Sequence, residues 1–263
     1  MLGKLLKYDL KWSYKLLGIF YVLSIIFSVV GRALGEIENS LIFDVISKIS
    51  IGVAMAMIVN SLINCFIRLW VRMIRNMYKD ESYLTHTLPV EKNKIFVSKV
   101  ISGILAIFTT CVVVLLCLVI CYYSEANVEV LKMGLELAAD TYNTTVVSFV
   151  LVMALVIFIE FVYALILGYV GIIIGYKSNR NKLILSIIAA FVIHSIIMAI
   201  TLGILLIYGL FNPEVMNLFK TTTEIDINTI KNILYIAIVE YGAWSGFLYW
   251  IGKKLLNKGV NVD

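Results

Sequence analysis

Long apolar stretches alternate with short polar ones along most of the chain. Six apolar runs reach or approach 20 residues, at about 16–34, 49–71, 100–123, 146–175, 183–211 and 230–251. About 20 helical residues, rising 1.5 Å each, cross roughly 30 Å of hydrocarbon. The pattern therefore predicts an all-α integral membrane protein with six transmembrane helices, one transmembrane domain over 16–263. The first run is barely long enough, and Arg32 lies near its end. The fourth and fifth exceed a perpendicular crossing and predict tilt or projection from the bilayer. Both prolines, Pro89 and Pro213, fall in predicted loops, so proline leaves the spans unbroken. The connections, at about 35–48, 72–99, 124–145, 176–182 and 212–229, are too short to build an independent catalytic core.

Residues 1–15 carry a different pattern. Lys4, Lys7, Lys11 and Lys15 are spaced by three, four and four, which puts them on one helical face. Leu2, Leu5, Leu6, Leu10, Trp12 and Leu16 take the opposite side. This predicts a separate amphipathic helix in the membrane interface, its lysines toward anionic headgroups and Trp12 as an anchor. Asp9 interrupts the apolar face, and so must either pair with a basic residue of the protein or face another subunit. A basic start followed by apolar residues also resembles a signal peptide, but the run is long and has no clear small-x-small cleavage site, which favours an uncleaved first span.

Composition agrees with a membrane chain: 61% of the 263 residues are hydrophobic and 15% charged, against about 45–50% and about 25% in soluble domains. The charges are unevenly placed. With both termini in the cytoplasm, 17 of the 22 basic residues lie on the cytoplasmic side, as the positive-inside rule requires. The net charge of +5 is thus a signature of topology, not of nucleic-acid binding. Cys65, Cys111, Cys117 and Cys121 fall inside the runs or at their edges with no CxxC spacing, and read as small apolar packing residues.

The chemistry of the spans is sparse. Gly171-Ile-Ile-Ile-Gly175-Tyr-Lys177 lacks the spacing of a phosphate-binding loop. Gly168, Gly171 and Gly175 instead thin one helix face for close packing, and Gly31-x-x-x-Gly35 and Gly242-x-x-x-Gly246 offer the same pattern. No nucleophile–base set and no metal-ligand cluster is visible, so an intramembrane enzyme is the weakest reading. Glu160, His194 and Glu240 lie within predicted spans, and Asn60 and Asn64 share a face of the second. Such groups either line a polar path or bond neighbouring helices. The path reading admits an ATP-independent channel or secondary transporter using Glu160, His194 and Glu240.

The loop from Tyr78 to Lys94 is the longest polar interruption of the cytoplasmic side. Asp80, Glu81, Ser82, Tyr83, Leu84, Thr85, His86, Thr87 and Leu88 fit about two helical turns, with acids at the start and Pro89 ending them. Tyr83, Leu84, Thr87 and Leu88 share a face that a groove on a partner could grip. Flanking Arg72, Arg75, Lys92, Lys94 and Lys99 would hold the segment at the interface.

The run Asp80-Glu-Ser-Tyr-Leu-Thr-His-Thr-Leu-Pro-Val90, followed by Ser98-Lys99, resembles the second-to-third-span loop of permease subunits of type-2 ABC exporters from Gram-positive bacteria, as does the six-span topology with an interfacial N-terminal helix. The motif-level likeness covers about 20 residues. The resemblance implies a multi-pass protein of the bacterial plasma membrane and a second permease, identical or not, around a central path. It also implies a separate ATP-binding-cassette subunit docked through this loop, the coupling helix. ATP and magnesium would be bound by that partner, leaving no cofactor in this chain. Size, and the lack of a large extracellular domain between the fifth and sixth spans, are similar to exporters of amphipathic cytolytic or antimicrobial peptides such as the phenol-soluble modulins. Other relatives act in lantibiotic immunity or drug efflux.

Overall fold

The protein is described by a computed structural model over residues 2–37, 40–87, 89–211 and 227–258. Leu88, Pro213 and most of the 212–229 connection lie outside the described residues. Every regular element among the described residues is a helix: α1 (Leu2–Gly35), α2 (Leu41–Met77), α3 (Ser82–Thr87), α4 (Lys92–Tyr122), α5 (Glu125–Thr141), α6 (Val146–Gly175), α7 (Lys182–Phe211) and α8 (Ile227–Asn257). Five of them, α1, α2, α4, α6 and α7, are long and apolar enough to cross a membrane. These are the helices of a multi-pass membrane protein. α8 has the length, at 31 residues, but is not among these five. Lys231, Glu240, Lys253, Lys254 and its tyrosines and tryptophans dilute its apolar character.

Residues 1–15 are not a separate element. α1 runs unbroken for 34 residues through the expected boundary, because nothing between Lys15 and Gly18 stops a helix and because Asp9, Ser13 and Leu17 are buried in one continuous stripe. The predicted lysine face survives on it: Lys4, Lys7, Lys11 and Lys15 are all exposed. The 124–145 connection, for which no element was predicted, holds the 17-residue α5.

The helices fall into two compact units, one up to Leu131 and one from Lys132 onward. In the first, α1 packs on α2 and α4, and α2 also meets α4 and α3. α1 and α2 approach closely at Gly31 and Gly35. A β-carbon at Gly31 would stand 2.7 Å from Ile51 Cγ1, and one at Gly35 would stand 2.8 Å from Ser47 Oγ. Ser47 Oγ donates to the Gly31 carbonyl at 2.6 Å, which locks the crossing. Two tyrosines tie α1 to α4, Tyr14 to Thr109 at 2.8 Å and Tyr21 to Thr110 at 2.6 Å.

In the second unit α6 packs against α7 and α8. Gly171 and Gly175 bring α6 onto Ser186 and Ala190 of α7, and a β-carbon at Gly171 would lie 2.7 Å from the Ser186 carbonyl oxygen. The expected glycine contact is present here and at Gly31/Gly35. It is not present at Gly242 and Gly246, whose surroundings are open. A short turn joins α6 to α7, with Asn181 in the left-handed region at φ 51°, a conformation asparagine tolerates better than most residues.

Candidate functional site

The Tyr78–Lys94 segment folds back at the end of α2. The Tyr78 amide still bonds to the Ile74 carbonyl at 2.9 Å, and the Glu81 amide reaches the Arg75 carbonyl at 3.1 Å. α3 follows at once, from Ser82 to Thr87, with Pro89, a residue that ends helices, two positions further on. The helix begins two residues later than the Asp80–Leu88 stretch expected from sequence.

α3 has two unlike sides. Tyr83 and Leu84 are 76% and 67% exposed, and Thr87 is exposed with its hydroxyl donating to the Leu84 carbonyl at 3.0 Å. Pro89 is exposed beside them. Ser82 and Thr85 are buried against the first unit. Tyr83, Leu84 and Thr87 therefore share the outer side, as their spacing predicts; Leu88 and the side chain of His86 lie outside the described residues. Asp80 is exposed and meets Arg75 at 3.6 Å.

The inner side rests on a chain of buried ions. Glu81 Oε2 accepts from Arg72 Nη1 at 2.5 Å, and Arg72 Nε donates to Asp9 Oδ1 at 3.0 Å. Lys99 Nζ donates to the same Asp9 oxygen at 2.5 Å, while Ser98 Oγ donates to the other at 3.1 Å. Asn76 Nδ2 bonds Thr85 Oγ1 at 2.9 Å and lies 3.4 Å from Glu81 Oε2. The side chains of Lys99, Asp9 and Arg72 are 2%, 6% and 10% exposed, and that of Glu81 31%. Charges alternate along Lys99–Asp9–Arg72–Glu81, so two cations and two anions cancel. Such burial is tolerated only because each inner ion touches an opposite charge and further hydrogen bonds satisfy it.

This arrangement resolves the choice that Asp9 posed: it pairs within the protein. It also corrects the role expected of the flanking bases. Arg72 and Lys99 do not lie at the interface; they turn inward to Asp9, because that carboxylate is buried and needs them. Arg75 and Lys94 do stay near the surface, paired with Asp80 and with Glu91 at 3.0 Å. The sequence reading missed Arg72, Ser98 and Lys99 as site residues, and also Asn76. Asp9 was the signal for a buried cation, but nothing in the spacing told which of the bases it was. Trp12 does not stand alone at an interface. Its ring lies under the Arg68 guanidinium, 3.9 Å from the ring centroid, a contact worth about 0.5–2 kcal/mol.

The predicted path residues separate into two groups. Asn60 is exposed, and Asn64 turns its amide back to the Asn60 carbonyl at 2.9 Å, within α2. In the second unit, His194 Nδ1 meets Tyr163 Oη at 3.1 Å, joining α7 to α6. Tyr163 in turn packs edge-on against Tyr241 of α8, with ring centroids 5.3 Å apart. Glu240 accepts from Thr201 of α7 and, at 3.2 Å, from Trp244 Nε1. His194 and Glu240 thus bond neighbouring helices. Glu160 is exposed on α6. No group of three or more metal-ligating side chains occurs among the described residues. Neither a protein-family model, nor a curated protein, nor a solved structure matches the chain.

Proposed function

We propose that the chain is the membrane-spanning permease subunit of an ATP-driven exporter of the type-2 ABC class. It sits in the bacterial plasma membrane with α8 as a sixth span and both termini in the cytoplasm. α3 is the coupling helix, and a separate ATP-binding-cassette subunit docks on it and hydrolyses ATP. A second permease completes the path, and the cargo is an amphipathic or hydrophobic peptide moved outward. The observation that carries this reading is the two-sided character of α3. A short helix held from within by buried ions presents Tyr83, Leu84 and Thr87 outward, which is the form a partner groove engages.

The purified chain is expected to show no ATP turnover of its own, and co-expression with the ATPase encoded beside it should yield a complex that has it. Replacing Tyr83 and Leu84 together by aspartate should abolish co-purification of that ATPase or its coupled turnover, because two charges would be buried unpaired in the docking groove. Intact coupled turnover in the double variant would sink the assignment. The competing reading, an ATP-independent channel or secondary transporter using Glu160, His194 and Glu240, draws on the exposure of the Glu160 carboxylate on an apolar helix. Gradient-driven uptake into vesicles by the chain alone would favour it.

A further inference from the structure

A helix of six residues cannot hold itself together in water, since nucleation costs more than its few hydrogen bonds return. α3 is fixed instead at its start and on its inner side: Glu81, just before it, on Arg72, and Thr85 on Asn76. Arg72 does not end the connection. Its Nε is on Asp9 of α1, and Asp9 shares the same oxygen with Lys99 of α4 while Ser98 holds the other. Three long helices therefore meet through one alternating line of charge, which ends at Glu81, the residue just before α3, whose carbonyl accepts from the Thr85 amide at 3.0 Å. Asp9 is its hub, the one member that touches both cations. Lys99, at 2% exposure, has little water to turn to if Asp9 is neutralised. Arg72 would then have to serve Glu81 while facing a second buried cation.

We infer that Lys99, Asp9, Arg72 and Glu81 act as one positioning relay, so that α3 and the first turns of α1 and α4 order or loosen together. The physical reason is that two cations balance two anions, so removing any one member leaves the rest of the cluster with a net charge. The penalty then spreads to every element the line touches. Coupling of this kind is reciprocal: a change at the Asp9 end is felt at α3, and a change at the Glu81 end is felt at α1. On the docking reading above, the relay decides what a partner pressing on Tyr83 and Leu84 would move, namely α1 and α4 along with α2.

Amide hydrogen exchange on the full chain in detergent tests the relay. Asp9→Asn should speed exchange in residues 82–87 by at least roughly tenfold, equivalent to 1.4 kcal/mol of local opening. Glu81→Gln should do the same in residues 2–12. The double variant should cost less than the sum of the two singles. Effects confined to each variant's own element, with additive singles, would overturn the inference. If Asp9→Asn does not fold, the milder Glu81→Gln decides alone: unchanged exchange over residues 2–12 rejects the relay. Because the chain is measured without a partner, a negative result here leaves the docking assignment standing, and failure of docking leaves the relay standing.

Discussion

Two arginines one helical turn apart show how burial decides what a charge contributes. Arg72 is almost closed off from solvent between Asp9 and Glu81, whereas Arg75 is 44% exposed and meets an exposed Asp80 at 3.6 Å. Removing one partner from a buried ion pair typically costs about 3–5 kcal/mol, while an exposed pair is worth about 0–1 kcal/mol. Arg72→Met should therefore lower the thermal midpoint in detergent sharply, and Arg75→Met should leave it nearly unchanged. Equal effects of the two would mean that the ion chain does not hold the unit. At this scale the sequence disclosed the need but not the answer. Asp9, a carboxylate amid leucines, requires a cation, yet its partners lie 63 and 90 positions away. Residues so distant meet only because α1, α2 and α4 pack, and helical periodicity does not report which helices are neighbours.

Among the elements, those set by hydrocarbon thickness were the most legible. The runs near 49–71, 146–175 and 183–211 each lie within a helix of 30 residues or more, and the run near 100–123 does so up to Tyr122. α3 was legible because acids precede it and a proline follows. α5 was missed, although its signal was present. Glu125, Glu129, Glu136 and Asp140 fall within about 60° of one another at 100° per residue, a stripe that a bare connection would not show. The break expected after Lys15 was wrong for the opposite reason: a change from amphipathic to wholly apolar residues alters what surrounds a helix without ending it. Glycine spacing marked the close crossings but did not distinguish Gly171 and Gly175 from Gly242 and Gly246, since that depends on what faces them. This gives a paired expectation. Gly175→Val would drive a side chain into Ser186, whose Cα stands 2.5 Å from the new β-carbon; it should destabilise the second unit by about 1–3 kcal/mol or more. Gly203→Ala, with nothing nearby, should be neutral or stabilise α7 by up to about 1 kcal/mol. Chemical unfolding of the two variants, followed by helix content, checks both.

For the whole molecule, the orientation drawn from charge is open to direct measurement. Cys65, Cys117 and Cys121 are buried and Cys111 is half-buried, so the native thiols should give little background with a membrane-impermeant maleimide. A cysteine placed at the exposed Glu129 on α5 should label on intact cells. One placed at the exposed Thr87 on α3 should label only after permeabilisation. The reverse pattern would invert the topology and remove α3 from the side where ATP is available.

The charge-balanced cluster beneath α3 also has a history within the life of the chain. Before α1, α2 and α4 pack, Arg72 and Lys99 have not met Asp9 and Glu81 and stand as full positive charges; on the orientation proposed above, these hold their loop on the cytoplasmic side. After the helices gather, the same two side chains are neutralised and hidden. Burying Lys99 against Asp9 brings α4 onto α1. α1 therefore contributes to the seating of α4. On that orientation, one pair of residues first marks a side of the bilayer and later, by disappearing from the surface, the packing of α1, α2 and α4.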